Sequence, residues 1–266
     1  MKEHGLLLSA DMIRALAAGR KTQTRRAIAA HNSLVDGRGI SNANWQQYDF
    51  QFQDARVDKG PSPAGNAGPY LKVPSKRHDT VHRIYPRIGV GDGLWWKETW
   101  AETEGDAGPV IAYRAGGSRI HCVSGESRLG NLVNYLGPDP DSETYEVDRW
   151  KSSMFMPRWA ARYSNTVTRV LCERIQSISE ADSLAEGIAA LPDENDNLRY
   201  GIACDDGQPG GHGWPWREWR RSASAAYFEL WRRINGEESL KENPWVWGYE
   251  WKTPAEPSTR TQQTKP

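Results

Sequence analysis

Apolar and polar positions alternate in several short runs along the chain and fall at helical spacing in only a few. Residues 5–9, with Leu6-Leu7-Leu8, predict a short strand. Over residues 10–18, Met12, Ile13, Leu16 and Ala17 share one helix face, with Ser9 or Asp11 as N-cap and Gly19 just past the end. Val90-Gly91-Asp92-Gly93 signals a turn, and Leu94-Trp95-Trp96-Lys97-Glu98-Thr99-Trp100 after it reads as one dense β run. Residues 110–114 predict the next strand. Residues 166–175 alternate, Val167, Arg169, Leu171 and Glu173 facing one way and Thr168, Val170, Cys172 and Arg174 the other. Ser179 with Asp182 fits a cap for a short helix that runs to Glu186 and stops at Gly187. An amphipathic helix is predicted over 216–234, and residues 244–251 alternate as a closing strand.

Three stretches, about 29–84, 115–149 and 189–215, have weak periodicity and many Gly, Pro, Asn and Asp residues. They read as long, partly irregular insertions into a single domain over 1–252, with 253–266 a polar, disordered tail. Strands outnumber helices, which predicts an α+β fold built on a small β-barrel flanked by helices. No glycine pattern of the dinucleotide-binding or P-loop kind falls where a strand meets a helix.

Composition narrows the partners. The 266 residues hold 34 Lys+Arg and 34 Asp+Glu, so any nucleic-acid contact must be a local patch rather than a global field. There are 13 Trp against 4 Phe, so indole takes over core filling, with a few rings left that could stack on bases. Three separated cysteines make no disulfide framework and fit a reducing, cytoplasmic setting. Leu6-Leu7-Leu8 is too short for a secretion signal, and no window has the length of a membrane span.

Four constellations could carry chemistry. Gly19-Arg20-Lys21-Thr22-Gln23-Thr24-Arg25-Arg26 places cations and hydroxyls directly after a helix. If it enters a strand, residues 20, 22, 24 and 26 share one face and 21, 23 and 25 the other. A desolvated lysine beside a threonine hydroxyl could take its proton, although spacing by itself favours a solvated basic segment. Glu98, ending the Trp-rich run, could pair with Arg26 or Lys21, meet a base edge, or form a rim ion pair. In Pro157-Arg158-Trp159-Ala160-Ala161-Arg162, Arg158 and Arg162 could hold phosphates while Trp159 stacks, or Trp159 could plug the core. Glu186 alone is an ordinary helix carboxylate. For metal binding, His78 with His82 and His121 with Cys122 lack a third and fourth ligand at convincing spacing. No metal and no other cofactor is expected.

Taken in order, Gly-Arg-Lys-Thr-x-Thr-Arg-Arg from Gly19, Gly-Asp-x-Leu-Trp-x-x-Glu-Thr-Trp from Gly91, Trp-Lys-x-Ser-x-x-Met-Pro-Arg-Trp-Ala-x-Arg from Trp150, Ile-Ser-Glu-x-Asp-x-x-x-Glu-Gly-Ile from Ile178 and Asn-Pro-Trp-Val-Trp from Asn243 resemble the ASCH domain proteins, in versions found in bacteriophages and prophages. The resemblance covers residues 6–28, 85–114, 150–188 and 224–251. It implies a PUA-like β-barrel with a nucleotide- or RNA-binding cleft beside the N-terminal helix. The family's Gly-x-Lys-x-x-(Glu/Thr)-x-Arg falls on Gly19, Lys21, Thr24 and Arg26. Small similar amidohydrolases remove the acyl group of an acetylated cytidine with a Lys, a Thr and a Glu, which implies catalytic roles for Lys21, Thr24 and Glu186. Ser152 and Phe155 depart from the Pro and His that phage relatives commonly carry.

Three functions therefore stand as expectations. One is amide hydrolysis on a modified nucleoside by Lys21, Thr24 and Glu186. Another is a non-catalytic reader of single-stranded RNA or DNA, with Trp96 or Trp159 stacking, Glu98 at a base edge, and Arg20, Arg26, Arg158 and Arg162 binding the ligand. The third is a protein-interaction module presenting the Trp-rich helix near 216–234.

Overall fold

The computed structural model describes residues 1–61, 67–77, 79–105, 108–116, 118–122, 131–136, 147–204 and 207–252. The chain begins with strand β1 (Glu3–Leu7), helix α1 (Ala10–Ala17) and strand β2 (Gln23–Ala27). The Ser9 hydroxyl accepts the Met12 N–H at 3.4 Å, and α1 buries Met12, Ile13, Ala15 and Leu16. Gly19 then turns the chain in the left-handed region, at φ 71°, as expected of a residue just past a helix end.

Next come β3 (Ser33–Val35), α2 (Asn42–Gln47), β4 (Arg56–Pro61), β5 (Ala67–Ser75) and β6 (Thr80–Pro86). The four strands form an antiparallel sheet in the order β3-β6-β5-β4. This corrects the expectation of a partly irregular insertion over 29–84. Proline hides the signal, because Pro69 and Pro74 lie inside β5, an interior strand, where proline normally argues against a ladder. Buried Leu71, Val73 and Ser75 alternate there with half-buried Lys72 and Pro74.

β7 (Gly93–Lys97) ends before Glu98, and β8 (Trp100–Gly105) leaves for a second sheet with β9 (Gly108–Tyr113), β10 (Ser118–Cys122) and β11 (Asn131–Leu136). The run from Leu94 to Trp100 is thus two strands in two sheets, not one. β10 and β11 occupy part of the expected 115–149 insertion. Much of its remainder, the 253–266 tail and His78 lie outside the described residues.

The chain closes with β12 (Ser164–Arg174), α3 (Glu180–Ala185), β13 (Ala189–Pro192), β14 (Leu198–Gly201), α4 (Ala223–Asn235), α5 (Glu237–Lys241) and β15 (Trp245–Trp251). β13 and β14 form a hairpin in part of the expected 189–215 loop. The helix predicted over 216–234 begins only at Ala223, where the Ser222 hydroxyl caps the Ala225 N–H at 3.2 Å. Its apolar face, with Ala226, Tyr227, Leu230 and Trp231, is buried in the core rather than offered to a partner.

The central sheet has the order β1-β7-β12-β15-β2, with β1 parallel to β7 and the other neighbours antiparallel. The fold is mixed α+β, as expected. The sheet is open, however, since no ladder joins its edge strands β1 and β2, and a closed barrel is not formed. A side chain of one edge reaches the other, the Arg26 Nη2 donating to the Leu7 carbonyl at 2.5 Å. A register shift between Val167 and Arg169 puts a bulge in β12. Val167 and Val170, three residues apart, are consequently both buried, which corrects the strict alternation expected there.

Trp96 and Trp247 are wholly buried in this core. The Trp96 N–H donates to Asn165 Oδ1 at 2.6 Å, and its ring centroid lies 4.8 Å from that of Trp251. Among the described residues no helix is long and apolar enough to cross a membrane.

Candidate functional site

Gly19 ends α1 beside the exit of α3, and the two chain segments pair there through a bridge between Lys21 and Glu186. The Thr22 N–H donates to the Ala185 carbonyl at 2.8 Å. Gly187, at φ 105°, turns the chain immediately after, and a side chain there would come within 3.0 Å of the Ala15 Cβ. Lys21 and Glu186, 165 positions apart, are thereby placed in contact. Lys21 Nζ donates to the Glu186 Oε2 and to its backbone carbonyl, both at 2.8 Å. Both residues are buried.

Thr24 does not join them. It alternates with Gln23 and Arg25 along β2 and so points from the opposite face, in register with Tyr249. It makes no hydrogen bond to Lys21 or Glu186 among the described residues. The second side-chain partner of Glu186 is Arg25, whose Nη1 lies 3.2 Å from Oε1. Arg25 also donates to Glu173 Oε1 at 2.7 Å and to Gln23 Oε1 at 2.9 Å. Gln23 in turn donates to Asp182 Oδ1 at 2.9 Å. The family pattern points to Arg26 and passes over Arg25. The alternation of Lys21, Gln23 and Arg25 is the signal that could have found it, but their acidic partners lie far along the chain.

Burial dominates at Lys21 and pushes its ammonium below the ordinary lysine value, although the Glu186 carboxylate works the other way. Burial likewise opposes the Arg25 charge, but Glu186 and Glu173 outweigh it and hold the guanidinium above its ordinary value. The lysine shift has a consequence for stability. Between the lowered folded value and about 10.4 for the unfolded chain, the unfolded state binds more protons. The Lys21 contribution to stability therefore rises with pH across that window, its cost being fully present below the folded value. The Cys172 thiol, pushed up by burial, contributes with the opposite sign above about pH 8.5. Urea unfolding of wild type and Lys21→Met between about pH 7 and 9.5, below tyrosine ionisation near 10, should show a slope of stability with pH that is less positive in the variant than in wild type, the Cys172 contribution being common to both. An unchanged slope would remove Lys21 as its source.

A cleft of about 480 Å³ opens beside this pair. Leu184, Ile188 and Leu191 give it apolar walls, and Gly19, Arg20 and Thr22 form a polar side. The Arg20 side chain is half-buried and has no hydrogen-bond or ion-pair partner among the described residues, with its Nε shielded from solvent.

The remaining predicted residues lie elsewhere. Glu98 pairs with Arg162, not with Arg26 or Lys21. Arg162 Nε and Nη2 donate to its two carboxylate oxygens at 2.8 and 2.7 Å. Arg162 Nη1 donates to the Gly116 carbonyl at 2.6 Å, and its guanidinium lies 4.3 Å from the Tyr113 ring centroid. Burial opposes its charge, but Glu98 holds it above the ordinary value. With side-chain exposures of 4% and 1%, neither Arg162 nor Glu98 is open to a ligand. Trp96, wholly buried, has no free face for a base. Trp159 is half-buried, edge-on to Trp100 at 6.1 Å. Arg158 is exposed and bidentate to Glu3, both bonds 3.0 Å. His82 Nδ1 lies 2.6 Å from Asp36 Oδ2, and no group of His, Cys, Asp and Glu that could hold a metal occurs among the described residues.

The fold and site thus define an α+β protein with a buried Lys–Glu–Arg network behind a small cleft. Compared with family models, curated proteins and solved structures, the chain gives no match.

Proposed function

We propose that the cleft at the end of α1 binds a nucleobase or nucleotide, in the manner of an ASCH domain. The observation that carries this reading is Arg20, a guanidinium with no partner among the described residues, on the polar side of a slot whose other walls are apolar. Leu184, Ile188 and Leu191 can cover one face of a planar base, while Arg20 and Thr22 supply donors for phosphate or a base edge. The Lys21–Glu186 pair supports the wall from behind by tying the exit of α3 to the entry of β2. A PUA-like arrangement is supported by the order β1-α1-β2 and by the Arg26 bond that links the two sheet edges.

A second reading of the same site is hydrolysis of the exocyclic amide of an acylated cytidine. Its support is the lowered Lys21 ammonium held 2.8 Å from Glu186. With Thr24 on the other face of β2, water would be the nucleophile. Substrate binding must then uncover Lys21, whose side chain is 2% exposed behind the cleft wall. Once neutral, Lys21 takes the water's proton and passes it to the departing cytidine amine as the acyl group leaves as a carboxylate.

Calorimetric titration with cytidine and adenosine monophosphates at low salt tests the first reading. Wild type should bind, and Arg20→Ala should weaken binding about tenfold, as for loss of one charge-assisted hydrogen bond. Absence of binding at millimolar nucleotide would sink the proposal. Chromatography of acetylated cytidine after incubation tests the second, which requires release of cytidine by wild type and none by Lys21→Met.

A further inference from the structure

We infer that the solvent face of β1 and β7, at the other end of α1 from the cleft, is a track for single-stranded nucleic acid. The inference rests on the cleft being a nucleobase site, since a base held there would bring its chain with it. α1, eight residues and about 12 Å long, runs from the end of β1 to Gly19 at the cleft.

Trp95 on β7 lies across Gly5 of β1, so closely that a Cβ at Gly5 would sit 2.5 Å from the ring. Lys97 Nζ and the Arg158 guanidinium lie 5.3 and 5.9 Å from the Trp95 ring centroid. Beside them a 3-10 turn, Ser153–Phe155, leaves Met154 62% and Phe155 76% exposed. The turn is firmly held. Lys97 Nζ donates to the Met154 carbonyl at 2.7 Å, the Ser152 hydroxyl accepts the Met154 N–H at 3.3 Å, and the Lys151 N–H donates to the Trp100 carbonyl at 2.8 Å.

Large apolar side chains on an anchored turn mark a contact surface. Phe, Trp, Met and Arg are enriched in protein–protein interfaces as well, but Lys is depleted there, whereas here Lys97 stands with Arg158 beside the Trp95 ring. Rings interleaved with cations are how single strands are held, bases on the rings and phosphates on the cations. Phe155 is placed to stack on a base or wedge between two. The Arg158–Glu3 pair is exposed on both sides, 42% and 47%, and such pairs exchange readily for a phosphate partner. Glu3 is then a like charge beside the ligand, so its removal should tighten binding.

Fluorescence anisotropy with labelled ten-nucleotide single-stranded RNA and DNA tests this, alongside mononucleotide calorimetry on the same proteins. Phe155→Ala should weaken oligonucleotide binding about tenfold. Lys97→Ala should weaken it and reduce the slope of log affinity against log salt by about one. Glu3→Gln should strengthen it. All three should leave mononucleotide affinity unchanged. If the mononucleotide binds but the oligonucleotide ignores Phe155→Ala and Lys97→Ala, the track is wrong and the cleft stands. If neither ligand binds, both fall. If wild type self-associates in sedimentation and Phe155→Ala abolishes this without changing oligonucleotide affinity, the face is a protein interface and the track is overturned.

Discussion

Replacing Glu98 by Ala is expected to cost about 3–5 kcal/mol of folding stability, the range for stranding one partner of a buried ion pair. Arg162 would keep its bond to the Gly116 carbonyl and its place over the Tyr113 ring. It would lose both carboxylate oxygens in a site that water does not reach. The pair carries its own control. Glu98→Leu with Arg162→Met removes both charges and leaves apolar groups of similar reach beside Met156 and Ala160, which already form a small core with Trp100, Ile111 and Tyr113. The double variant should regain most of the loss. Urea titrations read both, with a lower midpoint and unchanged slope for the single variant. If Glu98→Ala unfolds at the wild-type midpoint, the pair is not a buried unit. A ligand role for either residue would instead leave stability intact and reduce binding.

Glu186→Ala should have an effect of similar size, about 3–5 kcal/mol, for a related reason. It strands Lys21, whose Nζ among the described residues donates to the Glu186 carboxylate and carbonyl alone. Arg25 is cushioned, because Glu173 and Gln23 remain to accept from it. Glu186→Gln keeps an acceptor for Lys21 and should cost clearly less than Ala. Pairing Lys21→Met with Glu186→Leu should again recover much of the loss. Denaturant midpoints of the four proteins test this order, and equal midpoints for Ala and Gln would show that a neutral acceptor at this position gives Lys21 nothing.

The elements flanking the site were legible where the chain is locally decisive. Ser9 and Gly19 bracket α1, Ser179 and Gly187 bracket α3, and the 244–251 alternation became β15. Legibility failed where one local rule concealed another. The prolines of β5 masked a strand that alternates correctly. The bulge in β12 shifted its faces. The Trp-rich run changed sheets at Glu98, where the carboxylate turns inward to Arg162.

The sequence by itself determined caps, turns and the periodicity of the main helices and strands, because these depend on neighbours within a few positions. It also marked Lys21 and Glu186, through an ordered set of motifs, as residues to watch. Only the tertiary structure decided who meets whom. Packing α3 against the entry of β2 brings Glu186 to Lys21 across 165 positions, and strand alternation then admits Arg25 and turns Thr24 away. The same packing sealed Trp96, Glu98 and Arg162 inside and left Arg20 and Phe155 at the surface. Charge and aromaticity can be read from a residue's name, but burial is a property of the whole fold, and burial separates the side chains that hold this protein together from those free to meet a ligand.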